Sequence, residues 1–151
     1  VVTLIKHRLE LSDAKQGAIL DGFPRTVDQA EALQTMLAEQ DRQVDKAVLL
    51  TVEEDAVVSR ILGRLTCGSC NSVFHVKTNR PRVDGICDSC GDKLESRSDD
   101  NAEAIRTRLA TYRASTEPVV GFYRSQGLLR EVDGGQTVDQ VFQGLQGALK
   151  H

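Results

Sequence analysis

The chain has 151 residues, enough for one ordinary domain with a real core and a small insertion. Its 40% hydrophobic and 27% charged content is that of a soluble globular protein, and a net charge of −3 argues against broad electrostatic nucleic-acid binding. No apolar run approaches the roughly 20 residues of a membrane helix, no secretory signal pattern opens the chain, and no methionine begins it. Because residue 1 falls directly into a helical pattern, the expectation is a chain cut inside a fold.

In chain order, Val2, Ile5 and Leu9 share one helical face. Gly17 to Asp21, "GAILD", reads as a short buried strand running into the turn Gly22-Phe23-Pro24-Arg25. Thr26 to Gln40 reads as a helix with Ala30, Leu33 and Leu37 on its apolar face. Lys46 to Val52 is a second buried strand, too short for a helix and β-branched in bias. A third helix is predicted over Glu53 to Arg64, its stripe running through Val57, Ile61 and Leu65. Strands alternating with helices predict an α/β core with a parallel sheet flanked by helices.

The periodicity stops between Leu65 and Arg97, where glycines, prolines, asparagines and all four cysteines collect, and this stretch reads as an inserted subdomain. It resumes with Ser98 as the expected N-cap of a helix carrying Ile105, Leu109 and Tyr112, and Pro118 should kink or interrupt that helix. "LLREVDGG" reads as a last strand, and Thr137 as the cap of a closing helix through Val138, Val141, Phe142, Leu145 and Leu149.

Cys67, Cys70, Cys87 and Cys90 form two C-x-x-C pairs, a spacing suited to a tetrahedral four-thiolate zinc site. Gly68 and Gly91 are expected to relieve the backbone beside them. A subdomain of about 30 residues cannot build a stable apolar core, so the metal would stand in for one. Four protein ligands leave no open position, so the zinc should be structural, with His75 outside the set. Metal-bound thiolates fit a reducing, cytoplasmic compartment. A dithiol redox pair is the rival reading of the same cysteines.

The basic residues comprise 13 arginines and 6 lysines, and Arg offers a planar fork that grips phosphate. Arg60 and Arg64 precede the insertion, Arg97 leaves it, and Arg106 and Arg108 follow. On a helix, Arg60 and Arg64 would share a face, while Arg106 and Arg108 would point apart.

"LDGFPRT", "RILGR", the four-cysteine insertion and "SRSDDNAEAIRTRL" together resemble adenylate kinase of the long-lid, zinc-bearing bacterial type, in that family's order. The resemblance implies a P-loop nucleoside-monophosphate kinase fold, monomeric, with core residues 1–62 and 101–151 and a zinc lid at 63–100. It implies reversible phosphoryl transfer from ATP to AMP, giving two ADP, with magnesium accompanying ATP. It places Arg25 on the α-phosphate of AMP, Gln29 on the adenine edge of AMP, and Asp21 near magnesium through water. It places Arg60 on the ATP adenine, Arg64 on the ATP phosphates, and Arg97 and Arg108 on phosphates and AMP. Arg25, Arg64, Arg97 and Arg108 would thereby be the catalytic arginines, and Asp99, Asp100 and Arg106 would latch the lid.

The family's glycine-rich phosphate loop ends in Gly-Lys-Gly-Thr, and this sequence contains no Gly-Lys pair. The small helical domain that clamps AMP is not found either, so the chain resembles the later part of an adenylate kinase. Negligible turnover by this chain is the expectation, along with a slot in the sheet that exposes backbone and apolar groups. A zinc-ribbon binding module on an α/β scaffold, or another nucleoside-monophosphate kinase, are the alternative readings. An aromatic content of 4% speaks against nucleic-acid stacking in the first of these.

Overall fold

The computed structural model describes residues 1–150, which divide into two units: Val1–Leu50 with the chain from Ala110 onward, and Thr51–Leu109. In the first unit, helix α1 (Val2–Leu9) buries Leu9 with Ala14, Leu33, Met36 and Leu37, and Val2 and Ile5 pack alongside. The Arg42 guanidinium closes this corner by donating to the carbonyls of Leu9 (3.1 Å) and Ala14 (2.9 Å), both at helix ends. Helix α2 (Val27–Ala38) starts at Thr26, whose hydroxyl accepts the Gln29 amide at 3.2 Å. Its buried residues include the expected Ala30, Leu33 and Leu37, and the chain leaves it through Asp41 at φ 52°.

Strands β1 (Ala47–Thr51) and β5 (Leu129–Asp133) lie side by side. The Ala47 amide donates to the Leu128 carbonyl at 3.0 Å, so both strands start at the same end and run parallel. The fold is therefore α/β with a parallel sheet, as the alternation of elements predicts. "GAILD" is not a strand. Residues 17–20 have no regular secondary structure and join no ladder among the described residues, and Ile19 is 87% exposed. An apolar run becomes a buried strand only where a neighbour completes its hydrogen bonds, and β1 and β5 pair only with each other.

In the second unit, helix α3 (Glu54–Leu62) ends at Gly63, short of the predicted Arg64. Arg64 instead opens strand β2 (Arg64–Cys67), so Arg60 and Arg64 do not share a helix face. β2 pairs antiparallel with β3 (Val73–His75) on one side and with β4 (Leu94–Glu95) on the other. Cys67, Phe74, Cys87 and Leu94 form a small buried cluster with Leu65 beside it. Helix α4 (Ala102–Thr111) begins at Asn101 rather than at Ser98, because Asn101 Oδ1 accepts the Ala104 amide at 2.9 Å. Ser98 instead falls in the turn before the helix, closed by the Asp100 amide on the Arg97 carbonyl at 3.0 Å.

Past α4, residues Tyr112–Thr116 form a π turn, and α5 (Glu117–Ser125) carries Pro118 in its first turn. Proline has no N–H and crowds the carbonyl four residues back, so a widened turn just upstream accommodates it. Val119 and Tyr123 of α5 bury against Ala30 of α2, with Ala47 and Leu129 beside them. Helix α6 (Val138–Leu149) opens with the expected Thr137 cap, reciprocated by Gln140. Gly144 lets α6 approach β5, since a Cβ there would sit 2.8 Å from Val132 Cγ1. Its apolar stripe stays largely in solvent, Val138 and Phe142 both being exposed. No helix among the described residues is long and apolar enough to cross a membrane.

Candidate nucleotide and metal sites

In the first unit, Asp21, Arg25 and Gln29 fall on one turn and the helix start that follows it. The Arg25 side chain folds back, its Nε donating to the Gly22 carbonyl at 2.7 Å. Gly22 adopts φ +70°, and a Cβ there would lie 3.0 Å from Arg25 Nη2, so glycine suits both the turn and the returning guanidinium. The Gln29 amide oxygen accepts the Arg25 backbone N–H at 2.8 Å, and Thr116 donates its hydroxyl to the Arg25 carbonyl at 3.2 Å. Asp21 is exposed and forms no ion pair among the described residues.

In the second unit, Arg64 and Arg108 meet the predicted acids Asp99 and Asp100. The Asp100 carboxylate, 1% exposed, accepts from Arg64 Nε at 2.9 Å and Nη2 at 2.5 Å, with Arg108 Nη1 3.8 Å away. Asp99 pairs with Arg108 Nη2. The Arg64 hydrogen bond holds the Asp100 carboxyl below the usual carboxylate range, against its own burial, and the charges of Arg108 and Arg97 help. In return, Asp100 raises the Arg64 guanidinium. Arg106 is exposed and joins no ion pair among the described residues, so the acids engage Arg64 and Arg108 instead. Arg60 is exposed on α3. The resulting cluster is a pair of cationic forks held in place by two aspartates, and a guanidinium fork is of the shape that binds phosphate when freed from its carboxylate.

The four cysteines face one another, with every sulfur within 4.8 Å of the others. The Cys67 and Cys90 sulfurs lie 3.4 Å apart, and those of Cys70 and Cys87 3.5 Å. Four sulfurs about 2.3 Å from a tetrahedral ion would be about 3.8 Å apart, so this group could hold a metal ion. The two knuckles are built alike. The Asn71 amide donates to the Cys67 carbonyl and the Gly91 amide to the Cys87 carbonyl, at 3.0 and 2.8 Å. Asn71 and Gly91 both adopt the left-handed region, at φ 59° and 79°. The expected relief at Gly68 is supplied by Asn71 instead. Hydrogen bonding to Ser72 lowers the Cys70 thiol to about 6. The Asp92 amide pulls Cys90 down, but the neighbouring thiols Cys67 and Cys70 outweigh it and push Cys90 up to about 12. A divalent ion would replace the shared protons.

A sequence model of the family described as "Adenylate kinase" matches residues 1–128. The chain belongs to the adenylate kinase family. An adenylate kinase of Clostridium beijerinckii is 42% identical over 144 residues, covering 95% of this chain and 67% of that protein. Adenylate kinases of Carboxydothermus hydrogenoformans and Staphylococcus epidermidis are each 39% identical over 150 residues, 99% of this chain and 70% of theirs. The family reading made from "DGFPR", the cysteine insertion and "SDDNAEAIRTRL" is thus borne out, and the homologues support adenylate kinase function rather than a zinc-ribbon module. Membership implies the substrates ATP, AMP and ADP, with magnesium accompanying ATP.

Several supporting groups of this adenylate kinase chain were not singled out from sequence. Ser72 at the Cys70 thiol could have been found from its place two residues past a C-x-x-C pair. The Thr116 hydroxyl on the Arg25 carbonyl spans a distance in sequence that no local pattern reveals.

Proposed function

We propose that this chain carries the arginine and lid apparatus of an adenylate kinase, which moves the γ-phosphoryl of ATP to an AMP phosphate oxygen and leaves two ADP. The observation that supports it most is the cluster in which Asp99 and Asp100 hold the forks of Arg64 and Arg108. In phosphoryl transfer, positioning and neutralisation of phosphate charge do nearly all the work. Arg64, Arg97 and Arg108 take the phosphates, Arg60 stacks on the ATP adenine, and Arg106 joins the two aspartates as a latch when nucleotide draws the arginines away. Arg25 takes the α-phosphate of AMP, freed from the Gly22 carbonyl, and Gln29 turns its amide to the adenine edge. Magnesium, arriving with ATP and near Asp21 through water, would spread the charge of the phosphates.

Residues 63–100 form the lid, and Cys67, Cys70, Cys87 and Cys90 hold one structural zinc in it, with no position open for water. The 151 residues contain no Gly-Lys pair, so the backbone cradle and lysine of a phosphate loop are not supplied by this sequence. The chain alone is accordingly expected to bind nucleotide weakly and to turn over negligibly. The test is ADP formation from ATP and AMP by the purified chain, with zinc content and nucleotide binding measured on the same sample. About one zinc per chain with measurable, arginine-dependent ATP binding and little turnover supports the reading. Binding that is unchanged in Arg64→Met and Arg108→Met overturns it.

A further inference from the structure

His75 belongs neither to the cysteine group nor to the arginine–aspartate cluster, yet its ring is held from several sides. Its Nδ1 faces the backbone amides of Lys77 and Thr78, at 3.1 and 3.2 Å, so that nitrogen accepts and bears no proton. Its Nε2 faces the Ser59 carbonyl at 3.4 Å and carries the proton, an assignment made by the network around the ring. The same Ser59 carbonyl takes the Gly63 amide at 3.1 Å, the bond that ends α3. The ring sits so close over Gly63 that a Cβ there would meet Cε1 at 2.7 Å and Cδ2 at 3.0 Å, so a side chain at 63 would displace it. The Gly63 carbonyl accepts the Val76 amide at 2.9 Å, and the strand register sets Arg64 opposite His75. One imidazole therefore ties the end of α3, the start of β2 and the turn after β3 into a single corner. Arg60 stands just before that corner and Arg64 just after it.

We infer that His75 is a positioning residue: as a neutral imidazole it locks the α3–β2 corner, and so fixes Arg60 relative to Arg64 for the nucleotide they share. This rests on the reading of Arg60 and Arg64 as ATP contacts given above. A second proton would have to enter at Nδ1, where two amide hydrogens already point, and would drive the Lys77 and Thr78 amides away. The charged residues on the surrounding elements are Arg60 of α3, Arg64 of β2, Lys77 in the turn and Arg80 just beyond it; Glu54 and Asp55 stand in the first turn of α3. No carboxylate pairs with His75 among the described residues, so an imidazolium would gain no counter-charge here. A ring protonated on both nitrogens could accept from neither amide, so protonation would open the lock.

The test uses the full chain loaded with zinc and labelled at the histidine nitrogens, titrated from about pH 7.5 to about 5.5. Ring spectra, the Lys77 and Thr78 amide resonances, and binding of a fluorescent ATP analogue are followed together. The ring should show the Nε2–H tautomer at neutral pH. The two amides should shift with the same midpoint as the ring, and the analogue should bind several-fold more weakly at the acid end. His75→Gln, uncharged throughout and able both to accept and to donate, should keep most of the neutral affinity and flatten the pH profile. His75→Ala should weaken binding at both ends. An Nδ1–H tautomer at neutral pH, or a His75→Gln profile matching the parent, overturns the proposal. Absence of analogue binding at any pH, with the amides still following the ring, overturns the nucleotide role of the corner while leaving the lock standing.

Discussion

Replacing Asp100 with asparagine keeps the side chain's shape and removes its charge. That carboxylate is 1% exposed and receives two donors from Arg64, at 2.9 and 2.5 Å, with Arg108 at 3.8 Å. An asparagine must turn its NH2 toward one of these donors, so at least one charge-assisted bond is lost and a donor faces a donor. A hydrogen bond to a charged group contributes about 1.5–3 kcal/mol, and breaking a buried ion pair outright costs about 3–5 kcal/mol. Arg64 is 27% exposed and can regain water, which places the expected loss toward the lower figures. We expect Asp100→Asn to cost about 2 kcal/mol. The assay is urea unfolding of the zinc-loaded chain, read by hydrogen exchange at the β2 and α4 amides, in the parent, Asp100→Asn, Arg64→Met and the double variant. A coupling energy above about 1 kcal/mol identifies the pair as the source. A loss below about 0.5 kcal/mol, or strictly additive single variants, refutes the reasoning.

The same pair sets an acid limit. Asp100 is held below its ordinary value, so its contribution is complete above the unfolded carboxylate value near 3.9 and is lost as pH falls through the lower native one. An acid titration of stability should therefore be steeper in the parent than in Asp100→Asn below about pH 4. Removing zinc with a strong chelator should unfold the β2–β3–β4 region, the metal contributing on the order of 10 kcal/mol, and zinc affinity should fall on acidification as protons compete for sulfur. Exchange at the β2 amides after chelation checks this. Asn101→Ala should destabilise α4 by about 1 kcal/mol while Ser98→Ala changes little, as helix exchange rates would show. Thr137→Ala, removing one side of the capping box, should cost α6 about 1 kcal/mol by the same measure.

The elements legible in the sequence were those whose signal is local. The Thr137 cap, or Val2, Ile5 and Leu9 on one face, needed nothing beyond their own turns. The sequence carries helix α3 two residues too far, to Arg64, because the stripe Val57, Ile61, Leu65 continues past Gly63, and only the imidazole packed on that glycine shows why the chain turns. "GAILD" misled for the opposite reason: its composition suits a strand, but strand formation is settled by neighbours, and here it has none among the described residues. The acids Asp99 and Asp100 masked the true cap, since they read equally well as a helix's first turn and as partners for arginine. The cysteine spacing points to the grouping of four sulfurs that the structure shows, whereas the three short strands around them carry no periodicity long enough to see.

The two knuckles are alike in backbone and also in access, since in each the first cysteine, Cys67 or Cys87, is buried and the second, Cys70 or Cys90, is exposed. Each knuckle therefore offers one sheltered sulfur and one open to solvent. For a bound ion this means a fixed order of departure, in which the outer thiolates detach first and the ion lingers on the inner pair. A chelator, a competing metal or an alkylating reagent meets the outer face alone. The rate of metal exchange would then be governed by Cys70 and Cys90, while Cys67 and Cys87 would determine whether the ion, once loosened, is recaptured.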